Sequence, residues 1–215
     1  SVKWLPRGDL YYLSASLVHR IQEPDFFARS FYEDLLAMGN VIGKIPFDYD
    51  ANFDRFWISP NGEQILFNKG GRNLFLYVLQ NDDFHSTGDS VNLPYLYLPR
   101  NTEVTTALWS ELGTITVLAE SIEVGKESGR IYRLTRDDSA RAGGSASATT
   151  AYSVQKTEET DVRDIRLSPQ EQYAAVLTSN EVVIKSYESW DTEADISHPN
   201  PLDLIWLDEE RFVLA

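Results

Sequence analysis

The 215-residue sequence contains no cysteine, one methionine and three histidines. The missing thiols exclude disulfides, Cys-ligated zinc, iron–sulfur clusters and cysteine nucleophiles together. No apolar run approaches the length of a membrane-spanning helix, so no membrane span is expected. Asn-x-Ser/Thr sequons are also absent. Positive charge is scarce, with 19 Lys and Arg against 33 Asp and Glu and a net charge of −14. Such a surface repels phosphate backbones and anionic lipid on average, and no basic cluster longer than two or three residues offsets it. Nucleic acid is therefore not an expected partner. Gly-x-Ser-x-Gly, a phosphate-cradling glycine loop and His-Glu-x-x-His are all missing. No catalytic residue, cofactor or metal is expected, and the chain reads as non-catalytic. A cysteine-free chain suits cytosol, periplasm or the cell exterior, so the compartment stays open.

What is present is a phrase that returns five times: an apolar strand, a tight polar turn, and a second apolar strand. It reads VKWLPRGDLYYLSA, FWISPNGEQILFNKG, ALWSELGTITVLAES, IRLSPQEQYAAVLTS and LIWLDEERFVLA. The phase-marking residues Trp4, Ile58, Trp109, Leu167 and Trp206 fall 54, 51, 58 and 39 residues apart. Repeats of about 40 to 50 residues, each with several strands, are the signature of a β-propeller. The predicted fold is thus an all-β propeller of four-stranded blades, about four and a half of them, in one partial domain over 1–215. The blades fall near 1–50, 51–100, 101–160, 161–200 and 201–215. The last copy holds only an inner strand pair, and the chain reads as interrupted within a blade. Outer strands are expected at NVIGKIPF, at VNLPYLYLP, where Pro94 suits an edge, and at AYSVQKT. In the fourth repeat the stretch SWDTEADISHPNP carries no clear strand pattern.

One insertion interrupts the strands. Asp25 is a suitable N-cap, Phe27, Phe31, Leu35, Leu36 and Met38 recur at helical spacing, and Gly39 is a natural stop. This predicted helix either lays its apolar stripe on the propeller or offers Phe26, Phe27, Phe31 and Leu35 to a protein partner. The segment 137–150, DDSARAGGSASATT, reads as a loop between outer strands.

The turn Ser59-Pro60-Asn61-Gly62, echoed by Ser168-Pro169 and followed by strands such as LFLYVL, resembles the WD-repeat-like propellers. It is similar as well to the Ser-Pro-Asp-Gly propellers of Tol-system periplasmic proteins and of prolyl-oligopeptidase-type enzymes. The Gly-His pair of a standard WD repeat is missing, and the one Trp-Asp dipeptide, Trp190-Asp191, falls beyond a third strand. The buried network of standard WD repeats is therefore not carried over. The resemblance implies a propeller and, by analogy, an interaction platform.

Two acidic clusters invite a metal reading. Asp48, Asp50, Asn52 and Asp54 alternate as in a calcium loop, but Phe53 stands where Gly is needed and Ser59 where a bidentate Glu belongs. Asp82, Asp83, His85 and Asp89 form a polar hairpin loop with a single imidazole. Both read as turn formers. Trp4, Trp109 and Trp206 share one repeat phase and read as core, whereas Trp190 lies outside the pattern and is expected to be an exposed aromatic for partner binding. The expected function is a non-catalytic protein-interaction scaffold. The alternatives are a substrate-gating propeller for a hydrolase domain outside this sequence, or an exported Tol-type propeller.

Overall fold

The computed structural model describes residues 2–5, 8–22, 39–71, 73–79, 90–92, 102–121, 129–136 and 152–215. Every regular element among them is a β-strand. Residues 25–38 of the predicted helix and the His85 cluster lie outside the described residues, as does the loop 137–150. The chain divides into two compact units, one of residues 1–96 with 145–150, the other of 97–144 with 151–215.

The first unit holds two four-stranded sheets. One runs β1 (Val2–Trp4), β2 (Leu10–Ser14), β3 (Leu17–Ile21), β4 (Asn40–Lys44), and the next β5 (Arg55–Ile58), β6 (Gln64–Lys69), β7 (Asn73–Val78), β8 (Ser90–Asn92). Each strand pairs antiparallel with its sequence neighbour, the up-and-down order of a propeller blade. Period-two alternation decides the packing. Tyr11, Leu13 and Val18 point from the first sheet into a core with Phe56, Ile58, Ile65, Phe67 and Tyr77 of the second, while Leu10, Tyr12 and Ile21 form a separate buried cluster. Phe47, in the connection between the sheets, packs at 5.1 Å from the Phe67 ring and 5.2 Å from Phe75. Burial of each such ring is worth about 1.5–3 kcal/mol, so this aromatic seam carries much of the unit's stability.

The second unit stacks three sheets. The first is β9 (Thr102–Trp109), β10 (Ile115–Ser121), β11 (Arg130–Arg136), β12 (Tyr152–Lys156); the second is β13 (Asp164–Leu167), β14 (Tyr173–Leu177), β15 (Glu181–Ser186), β16 (Thr192–Ser197). The third is the pair β17 (Leu204–Trp206) and β18 (Phe212–Leu214). Strands β14 and β15 are buried on both faces. Ile165, Ala174, Val176 and Val183 pack with Leu118 and Ile131 of the first sheet, and Ala175, Leu177, Val182 and Ile184 pack with Leu204, Trp206, Phe212 and Leu214 of the third. Outermost β16 is exposed at five of its six positions. That is why TEADIS shows no apolar alternation although it pairs along β15, with one register shift between Ile184 and Lys185.

The repeated phrase has a specific structural content at its turn. The Oγ atoms of Ser59, Ser110 and Ser168 accept the amides of Gln64 (2.9 Å), Thr114 (3.1 Å) and Tyr173 (3.0 Å), closing the turn from inside. Three residues after each serine the backbone takes a positive φ, at Gly62 (72°), Gly113 (86°) and Glu171 (58°). Glycine suits that position, and a side chain on Gly62 would also run into the Tyr11 hydroxyl. Glu171 occupies it against a left-handed penalty of about 1–2 kcal/mol. In the last copy Asp208 replaces the serine's role, its Oδ1 accepting the amides of Glu210 (2.9 Å) and Arg211 (2.8 Å).

Candidate functional site

The acidic loop after β4 is organised by a cation of the protein itself. Asp54 is buried, and its carboxylate accepts Lys69 Nζ at 2.7 Å, the Gly70 amide at 3.0 Å and the Asp50 amide at 2.8 Å. Lys69 Nζ also donates to the carbonyl of Asp48 at 2.9 Å, and Asp50 Oδ1 caps the Asn52 amide. The ammonium thus takes up the Asp54 carboxylate and the Asp48 carbonyl, while Asp50 Oδ1 is held by the Asn52 amides. Burial alone would raise the Asp54 carboxyl, but Lys69 and the amides of Asp50 and Gly70 outweigh it and hold the group below the ordinary carboxylate range. No group of three or more His, Asp or Glu positioned to hold a metal ion occurs among the described residues.

A second cluster gathers around Trp190. Its ring stands 4.7 Å from the Arg133 guanidinium and edge-on to Tyr187 at 6.2 Å, and its Nε1 donates to Glu159 at 3.2 Å. Arg133, buried, donates to the carbonyls of Tyr187 and Glu188. Lys185 Nζ lies 2.6 Å from Glu159 Oε1 and 2.8 Å from Thr192 Oγ1. Burial lowers Arg133, with Tyr187 and Glu159 opposing, and burial works against the Glu159 charge while Lys185, Thr157 and Trp190 hold that carboxyl low. Each charge here has an opposite charge or a carbonyl as its partner, the arrangement of a structural clamp on the β15–β16 turn. Trp190 is therefore half-buried rather than exposed, at a positive φ of 66° that the packing on Arg133 and Tyr187 stabilises. Phe26, Phe27, Phe31 and Leu35 lie outside the described residues, so Trp190 is the one member of the sequence-derived partner set whose surroundings are defined.

The third place was not singled out from the sequence. In the last strand pair Leu204, Trp206, Phe212 and Leu214 face the second sheet, and Trp206 Nε1 donates to the Arg166 carbonyl at 3.2 Å. On the opposite face Ile205 and Val213 sit directly across from each other, with Leu207 beyond them, 61%, 52% and 59% exposed. The residues in Val213's place in the other sheets, Tyr11, Leu66, Thr116 and Ala175, are at most 1% exposed. Apolar residues at both parities of LIWL and FVL are the mark of strands covered on both faces, and that was the available signal.

No helix among the described residues is long and apolar enough to cross a membrane. No protein-family model matches the chain, and no curated protein matches it. Among solved structures, the dihydro-heme d1 dehydrogenase NirN in complex with DHE is similar over 100% of this chain at 14% identity and a TM-score of 0.50. A luciferin-regenerating enzyme is similar over 100% of this chain and 67% of its own, at 10% identity and a TM-score of 0.48. The chain spans 40% of the length of the NirN chain. The likeness to NirN is one of fold, and with the sheet order it makes this chain an all-β protein of propeller-type blades.

Proposed function

We propose that the chain is a non-catalytic protein-interaction module that works as part of a larger protein or assembly. The observation that carries this reading is the outward face of β17–β18, where Ile205, Leu207 and Val213 form an apolar strip on strands whose sequence is built for burial on both sides. Four of the six large apolar residues exposed among the described residues fall between Leu202 and Val213. An apolar centre rimmed by charge, here Asp203, Asp208 and Arg211, is the anatomy of a protein interface.

The test is a double substitution, Ile205→Lys with Leu207→Lys. Affinity isolation of the native chain should recover a stoichiometric protein partner that the variant loses, with both proteins melting within a few degrees of each other. Equal recovery by the two proteins would remove the face from the interface. A partner found to be a hydrolase domain, with turnover of peptides by the complex, would favour the substrate-gating reading.

A further inference from the structure

Lys69, Lys185 and Arg166 each meet a carboxylate within 3.3 Å, and buried Arg133 is held by two carbonyls. Lys3 and Arg55 are placed differently. They stand on β1 and β5, the first strands of the two sheets in the first unit, and each other's charge is what they meet. Among the described residues neither side chain has an ion pair or a hydrogen bond.

The ladder brings the two cations together. Lys3 sits directly opposite Tyr11, which belongs to the core between the two sheets, so its side chain is directed toward the second sheet. Lys3 Nζ lies 5.8 Å from the centre of the Trp57 ring. Arg55 and Trp57 are two apart on β5 and share one side of that strand. Lys3 and Trp57 are half-buried there, while Arg55 is exposed. Burial first, and the Arg55 charge second, push the Lys3 ammonium below its ordinary range, and no acid opposes them. The Trp57 indole N–H is also without a partner among the described residues, whereas those of Trp190 and Trp206 are both taken up.

An ammonium, a guanidinium and an indole N–H are donors only. An anion beside them would turn a repulsion between like charges into two attractions, with the guanidinium fork matching a pair of oxygens and the ammonium adding a point charge. The net charge of −14 repels anions at long range, but salt screens that field beyond about 8 Å, so it does not close a half-buried site. Two cations are too few to hold a polyanion against the same net charge, which leaves a compact ligand.

We propose that Lys3, Arg55 and Trp57 form a binding site for the oxyanion group, carboxylate or phosphate, of a small molecule. The site lies in the first unit and does not depend on the β17–β18 face, so either reading can fail alone.

The probes are sodium phosphate and sodium succinate, each compared with sodium chloride at equal ionic strength on the whole 215-residue chain. Side-chain NMR follows the Lys3 ammonium and the Trp57 indole N–H. At least one of the two oxyanions should raise the pH at which Lys3 titrates above its value in chloride and shift the Trp57 resonance saturably. The tighter of the two assigns the group as phosphate or carboxylate. Arg55→Gln, a change at an exposed side chain, should weaken that binding at least tenfold, and Lys3→Met should do the same to the Trp57 response. Lys3 and Trp57 signals that are identical in all three salts at large excess would overturn the site. An oxyanion response that survives Arg55→Gln unchanged would overturn it as well, leaving Lys3 as a brace on the Trp57 ring.

Discussion

The amide of Glu111 donates to the carboxylate of Glu171 across 2.7 Å, joining two turns 60 residues apart in sequence. The next sheet repeats the device, with Glu209 accepting the amide of Gln170. Burial raises the Glu171 carboxyl, the amide bond from Glu111 opposes this, and the Glu111 charge adds to it. A carboxyl raised in the folded state holds its proton there more tightly than in the unfolded chain. Its ionisation therefore erodes stability as pH rises from the ordinary carboxyl range through the raised value. Glu171→Gln keeps an acceptor and cannot ionise. Its melting temperature should match the native chain near pH 4 and exceed it by about 1–2 °C at pH 8, a modest gain because Glu171 is partly solvated. Parallel melts at the two pH values check this.

Asp54 shows the opposite sign. Its carboxyl is depressed, so its contribution is complete above the ordinary Asp value and fades as pH falls through the depressed one. Asp54→Ala strands the amides of Asp50 and Gly70 and should cost about 2–3 kcal/mol at pH 7 in urea titrations. That difference should narrow toward pH 3.

Arg133 fastens the Tyr187 and Glu188 carbonyls while its planar group lies over Trp190. Lysine supplies charge but neither the fork nor the stacking plane. Arg133→Lys and Arg133→Ala should both destabilise by about 2–3 kcal/mol, and both should shift tryptophan emission to longer wavelength.

The Tyr187 hydroxyl meets Thr116 Oγ1 at 3.0 Å between two sheets of the second unit. Tyr187→Phe and Thr116→Val should each cost about 1 kcal/mol. The double variant should cost clearly less than the two together, because each single change already removes this bond, the Tyr187 hydroxyl keeping its 3.5 Å contact to the Thr114 carbonyl. Strict additivity in the cycle would mean the bond contributes nothing.

Much of the fold was legible because strand and turn rules are local. The Ser-Pro-Asn-Gly phrase at Ser59 encodes both the Oγ bond to Gln64 and the positive φ at Gly62, so its recurrence marked each inner strand pair. β16 was illegible for the same reason: an outermost strand carries no burial pattern, and its pairing depends on β15 rather than on its own residues. Trp190 was misplaced as an exposed aromatic because its environment is assembled by Arg133 and Glu159, 57 and 31 residues away in sequence. The Ile205–Val213 strip was visible in composition, yet only the packing of Leu204 and Leu214 on the second sheet shows which parity is covered.

A two-stranded ribbon has little stability of its own, so β17–β18 persists through its contact with the sheet beneath it. Should the pair swing open, Ala175, Leu177, Val182 and Ile184 would meet solvent together with the backbone edge of a short, uncharged β-segment. Brief excursions of that kind set the shelf life of a protein solution more than global melting does. Whatever grips the last hairpin also acts as a guard against self-association, and concentration-dependent clouding should begin at Leu204 to Leu214.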